Sequence, residues 1–332
     1  MGLLNAVEKD RDGVGKCDVS LHAGAIDEDH AVFAEEGYGL AVADAAYLAP
    51  IGRYDAALPA SLAGRDVEDI PVDGGRAYLA VWGYGVLIVD LADPMHPVEL
   101  GRFEFPFATA IEAHGNRVSV ASTTNGGIFK ILDVSNPVLP QELGLLATRQ
   151  TYDLTVRGNY VYLFDDSAFR DGGLRIVNVA NPAAPTLVGQ DVGCAEADGV
   201  DVSADGNTTY MACAYDTTFA NALRIVDTTN NARPTLLGSI SLPGSPGLPD
   251  DNVAHSVVVA GNVAYVGNED GLDKVDVSNA AAPVRTLRHD TGYFVRMVER
   301  ATDGRSFAFA QAAGVTMFTP QDADVIFASS FD

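Results

Sequence analysis

The chain has 332 residues, 45 acidic against 21 basic side chains, and a formal charge of −24 at pH 7. Phosphate backbones and anionic lipid surfaces are held by clustered Lys and Arg, so this balance excludes nucleic acid and acidic membranes as partners. No stretch of about 18 apolar residues occurs, which excludes insertion across a bilayer as a helix.

In chain order, Ala31-Val32-Phe33 and then residues 38–44 read as two adjacent strands. From residue 70 onward a single pattern repeats. An apolar run ends in an acidic or amide residue, and an Asn-Pro or Asp-Pro turn with a second proline follows. Gly85-Val86-Leu87-Ile88-Val89-Asp90 leads to Asp93-Pro94 and Pro97, and the run ending Ile131-Leu132-Asp133 leads to Asn136-Pro137 and Pro140. The run ending Ile176-Val177-Asn178 leads to Asn181-Pro182 and Pro185, and that ending Ile225-Val226-Asp227 leads to Pro234. A fifth copy ends at Asp276 and reaches Ala282-Pro283. Upstream of each run lie a strand, a tight turn such as Gly158-Asn159, and a strand rich in β-branched and aromatic residues, for instance residues 160–164. Proline cannot continue a ladder, so each Asn-Pro turn separates a third strand from a fourth. Residues 307–309 and 314–318 repeat the second and third strands near the end of the chain.

A period of about 42 to 49 residues built from four antiparallel strands is that of a propeller blade. The fold expected is therefore all-β, a β-propeller of seven blades of four antiparallel strands. It forms a single domain over residues 1–332, with irregular ends at 1–25 and 320–332 that share the closing blade. Residues 323–328 are the candidate closing strand. The recurring Asp90, Asp133, Asn178, Asp227 and Asp276 are expected to cap amides of the turn that follows, which accounts for the Asp-to-Asn exchange. Cys194 and Cys213 fall within one repeat, where a local disulfide is geometrically possible.

The motif Leu87-Ile88-Val89-Asp90 and its copies resemble the LVIVD repeat family, and the resemblance covers most of the chain. It implies a propeller and an exported or surface location in a microbe, with poorly defined activity. Residues 326–332 also resemble short endings of exported bacterial proteins. A secreted, periplasmic or cell-surface protein whose signal peptide is not part of this chain is the expectation drawn from these features.

Turns joining strands one to two and three to four are short and constant, and point to one face of the ring. The other connections vary in length and share the opposite face, which marks that face as the binding side of a repeat protein. The first residues of every innermost strand ring the channel mouth there. Counting nine residues back from Tyr78, Ser119, Tyr162, Tyr210 and Tyr265 sets Asp69, Ala110, Asp153, Asp201 and Ser256 at one level. Glu68, Thr109, Tyr152 and His255 come just before them, and Glu112, Asp198, Tyr293 and Arg296 lie close by. Trp82 sits in a loop of the same face, where it either stacks on a sugar or peptide or packs against its surroundings. Carboxylates gathered near one axis raise one another's pKa, so Asp69, Asp153 and Asp201 are candidate ligands for Ca2+, or else are hydrogen-bonded to backbone amides.

The leading functional expectation is a binding or interaction module that takes a protein, glycan or small ligand at the loop-rich face. Two alternatives stand beside it. One is a metal-dependent hydrolase or lyase in which His255 acts as general base, oriented by Asp201 or Asp153. The other is a structural spacer within a larger surface protein.

Overall fold

The computed structural model describes residues 24–26, 30–35, 39–44, 50–55, 67–165, 172–216, 221–242, 254–269, 271–290, 295–300, 306–310 and 314–318. Their strands form successive antiparallel sheets, each built in the order of the chain from an innermost to an outermost strand. Sheet I spans 24–55, II 67–104, III 108–147, IV 151–191, V 194–241, VI 254–290 and VII 295–318. Sheets I and III to VI have four strands, and three strands of VII are described. The expected second and third strands near both ends are present as His30–Glu35, Gly39–Asp44, Ser306–Ala310 and Gly314–Phe318. The expected closing strand at 323–328 lies outside the described residues.

Innermost strands of consecutive sheets from II to VII lie side by side, His30–Glu35 of sheet I meets Val67–Asp69 of sheet II, and Gly24–Ile26 of sheet I lies against Val295–Arg300 of sheet VII. The sheets thus curl into a ring with their first strands toward the axis. Sheet II departs slightly from the pattern. Pro71 lacks the amide proton of a regular strand, so its innermost strand is split into Val67–Asp69 and Val72–Asp73.

Both faces of sheets II to VI are covered by neighbouring sheets, which explains why their second and third strands read as continuous apolar runs rather than alternating ones. In Gly85–Asp90 the first five residues are buried. The apolar clusters are interfaces between sheets. Tyr78 and Ile88 of sheet II pack with Ile111, Val120 and Leu132 of III, and Tyr162 and Ile176 of IV pack with Val200, Met211 and Val226 of V. The Tyr162 hydroxyl donates to Asn231 Oδ1 at 3.0 Å, so the buried tyrosine also reaches the proline turn of sheet V.

Those turns are built by the expected caps. The side-chain oxygens of Asp90, Asp133, Asn178, Asp227 and Asp276 accept the amides of Ala92, Ser135, Ala180, Thr229 and Ser278 at 2.8 to 2.9 Å. A second set, from Asp93, Asn181, Asn230 and Asn279, caps the next residues in the same way. Cys194 and Cys213 form the disulfide that their spacing allows, both buried, with Cα atoms 5.5 Å apart. Closing a loop with a separation of 19 residues stabilises the fold by about 3 kcal/mol through the unfolded chain.

Candidate functional site

An innermost strand has one edge with no ladder partner, and its amides need acceptors. The acidic residues of the axis supply them. Asp69 of sheet II accepts the Ile111 amide of III at 2.8 Å, and Glu112 of III accepts the Val156 amide of IV at 2.5 Å. Asp153 of IV accepts the Val200 amide of V at 2.6 Å, and Asp201 of V accepts the Val259 amide of VI at 2.8 Å. Each carboxylate therefore clasps its own sheet to the next. Arg157 crosses this series, donating to Asp201 at 3.1 Å and lying 3.8 Å from Glu112, so one guanidinium of sheet IV ties III to V. Sequence reasoning passed over Arg157; its place at the end of the innermost strand beside the Gly158 turn was the available signal.

Burial dominates the titration of these groups. It pushes Asp69 and Glu112 up to about 7, and raises Asp153 well above the usual carboxylate range, with the charges of Asp69 and Glu112 adding to the effect. A carboxyl whose folded pKa exceeds its unfolded value takes up protons preferentially in the folded state. Its contribution makes stability fall as pH rises from about 4 to about 7. The exposed cap carboxylates Asp93, Asp133, Asp227 and Asp276 are lowered by their hydrogen bonds, and their contribution is lost as pH falls below about 4. The melting midpoint is therefore expected to rise from pH 8 to pH 5 and to drop again below pH 4. Asp153→Asn should flatten the first limb, and differential scanning calorimetry across pH reads both.

The register corrects one expectation. Asp69, Asp153 and Ser256 do share a level, since they face Ala80, Phe164 and Gly267, each two residues beyond the tyrosine of its strand. Asp201 instead faces Tyr210 itself and stands level with Glu112 and Thr155. The first turn of sheet V is longer by two residues, with Ser203 and Thr208 closing it, and this slides Asp201 along the axis. Gly199 takes the expected place of Asp201. Among the described residues no group of three His, Cys, Asp or Glu side chains is arranged to hold a metal ion.

At the mouth the structure shows a feature that counting could not. Each innermost strand from II to VII carries a bulge near its start, where a residue is skipped by the pairing; sheet V has three such shifts, and its pairing skips Ala195 as well as Asp198. Ala195 aside, the skipped residues are Glu68, Thr109, Tyr152, Asp198, His255 and Arg296. A bulge re-aims its side chain and is common beside functional sites. Six of the residues expected at the mouth thus occupy one structural position, once per sheet. Tyr152 is 37% exposed. The acid beside His255 is Glu269, its Oε1 4.0 Å from His255 Nε2, rather than the expected Asp153 or Asp201, which are turned to backbone amides. Of Asp198 and Arg296 the backbone is described, and Tyr293 lies outside the described residues. Trp82 packs edge-on to Phe107, with centroids 5.1 Å apart at 73°.

These features define a repeat protein of β-propeller type with a fixed frame and a variable mouth. The chain belongs to the LVIVD repeat family, whose model matches residues 64–104, 108–148, 148–190, 197–241 and 253–291. Among solved structures it is similar to Kuenenia stuttgartiensis hydrazine synthase, with 12% identity over 95% of this chain and 99% of that chain and a TM-score of 0.73. It is also similar to a functionally unknown protein from Desulfotomaculum acetoxidans DSM 771, with 12% identity over 90% and 95% of the two chains and a TM-score of 0.72. The WD40 repeats of RRP9 match at 12% identity over 88% of each chain, with a TM-score of 0.68. These likenesses concern the fold alone. No curated protein matches the sequence.

Proposed function

We propose that the chain closes as a seven-bladed propeller and works as an exported or cell-surface binding module, with its ligand held at the channel mouth on the loop-bearing face. One observation carries this reading. The frame repeats from sheet to sheet in its caps, prolines and buried tyrosines, whereas the bulge position holds Glu68, Thr109, Tyr152, Asp198, His255 and Arg296, no two alike. A position fixed in geometry and varied in chemistry suits recognition, because side chains can change there without disturbing the stacked core. The buried Cys194–Cys213 disulfide supports an oxidising compartment.

The test is a ligand screen by thermal shift on three proteins: wild type, Tyr152→Ala with His255→Ala, and Val138→Asp with His96→Ala. Val138 and His96 are exposed in the proline turns of the opposite face. Ligands that stabilise wild type should lose their effect in the first double variant and keep it in the second. The reverse pattern overturns the reading.

A further inference from the structure

At the mouth of sheets II and III, Trp82 and Phe107 form an aromatic pair next to the strand end that carries Glu68. The pairing of Val67 with Val81 places Glu68, the bulge residue, at the same strand ends as Trp82. Phe107 comes from the connection between sheets II and III, which the Phe105 amide ties to the Tyr84 carbonyl at 2.9 Å. Its backbone has φ of +60°, a left-handed conformation that a bulky residue adopts at a cost. That conformation is enforced. The Phe107 carbonyl accepts the Thr123 amide at 3.1 Å, and the Ser122 and Thr124 hydroxyls both donate to the Pro106 carbonyl at 2.7 Å. The ring so placed remains 38% exposed, edge to face with a half-buried Trp82. Strain held by four hydrogen bonds to keep an aromatic ring at a mouth is a feature of binding sites rather than of cores.

We infer that Trp82, Phe107 and Glu68 bind an organic cation, an alkylammonium group carried by a small ligand. Aromatic faces attract such cations through their quadrupoles, and a neighbouring carboxylate adds charge complementarity. The sign agrees with the net charge of the whole molecule, −24, which favours cations over anions as ligands. This assignment rests on the reading of the mouth as the binding face.

Trp82 is the sole tryptophan of the chain, so intrinsic fluorescence reports on this site directly. Choline and tetramethylammonium chloride should change the emission saturably at constant ionic strength. The uncharged isostere of choline, 3,3-dimethylbutan-1-ol, should not. Glu68→Gln should weaken choline binding roughly tenfold. Phe107→Gly, which relieves the left-handed conformation, should not lower the melting midpoint yet should abolish the response. An equal response to the neutral isostere, or a response to a neutral sugar with none to choline, overturns the cation assignment. So does a Phe107→Gly protein that melts lower and still binds choline. If choline fails while other ligands still depend on Tyr152 and His255, this inference falls and the binding-module reading stands.

Discussion

Asp165→Ala should destabilise the protein by about 4 kcal/mol, among the largest effects of any single substitution in the ring. Asp165 closes the second strand of sheet IV and is fully buried, accepting from the Arg175 guanidinium and from the Gly173 amide at 3.0 Å. Arg175 is buried too, with Gln190 as its other partner at 2.6 Å. Burial raises the Asp165 carboxyl even with Arg175 against it, so the pair exists at a desolvation cost, and removing the acid strands a cation in a low-dielectric interface. The fold also shows the remedy. The same two positions are Val81 and Leu87 in sheet II, both buried and apolar. The double variant Asp165→Val with Arg175→Leu should therefore recover most of the loss. Denaturant unfolding of the three proteins checks both statements, and a double variant as unstable as Asp165→Ala would refute the account.

Gly144→Ala should cost about 3 kcal/mol without touching a side chain of the native structure. One glycine recurs in the outermost strands, at Gly52, Gly101, Gly144, Gly189 and Gly238. Each lies against the backbone of the next sheet's third turn. A Cβ at Gly144 would run into the Pro182 carbonyl oxygen and lie 3.0 to 3.1 Å from Ala183 backbone atoms, and backbone cannot rotate away. The proline turn and the glycine are thus two halves of one contact between sheets. Sheet VI carries Leu287 at the matching position, opposite Lys274. As a control, Gly158→Ala meets nothing within 4 Å and should cost about 1 kcal/mol, the penalty of its left-handed φ of +61° alone. Equal losses at the two glycines would remove the contact argument.

The glycines were legible in the sequence as a fixed offset of 11 residues from Asp90, Asp133, Asn178 and Asp227, yet the repeat was read through its apolar and proline positions. Glycine has no side chain whose pattern suggests a partner, so its role emerges only when the neighbouring sheet is in place. The carboxylates show the converse. Asp69 and Asp153 were located correctly, because their hairpins have two-residue turns and counting preserves level. Asp201 was misplaced by two residues, since the longer turn at Ser203 to Thr208 breaks the count. His255 was expected beside Asp153 or Asp201, whereas Glu269 comes to it from the end of the second strand, a cross-strand approach that linear spacing does not encode.

Local chemistry determined the elements themselves. Apolar runs of strand length, proline and Asx turns, and their period dictate four-stranded antiparallel sheets that must stack to bury both faces, because these are near-neighbour constraints written along one stretch of chain. Only the tertiary structure decided what the axis and the mouth are made of. Edge amides of the inner strands of sheets III to VI draw in the carboxylates of the preceding sheet, and the bulges near the start of the inner strands set one unlike residue per sheet around a common opening. Both depend on how one sheet meets the next, a relation between residues 42 to 58 positions apart that the repeat implies but does not specify.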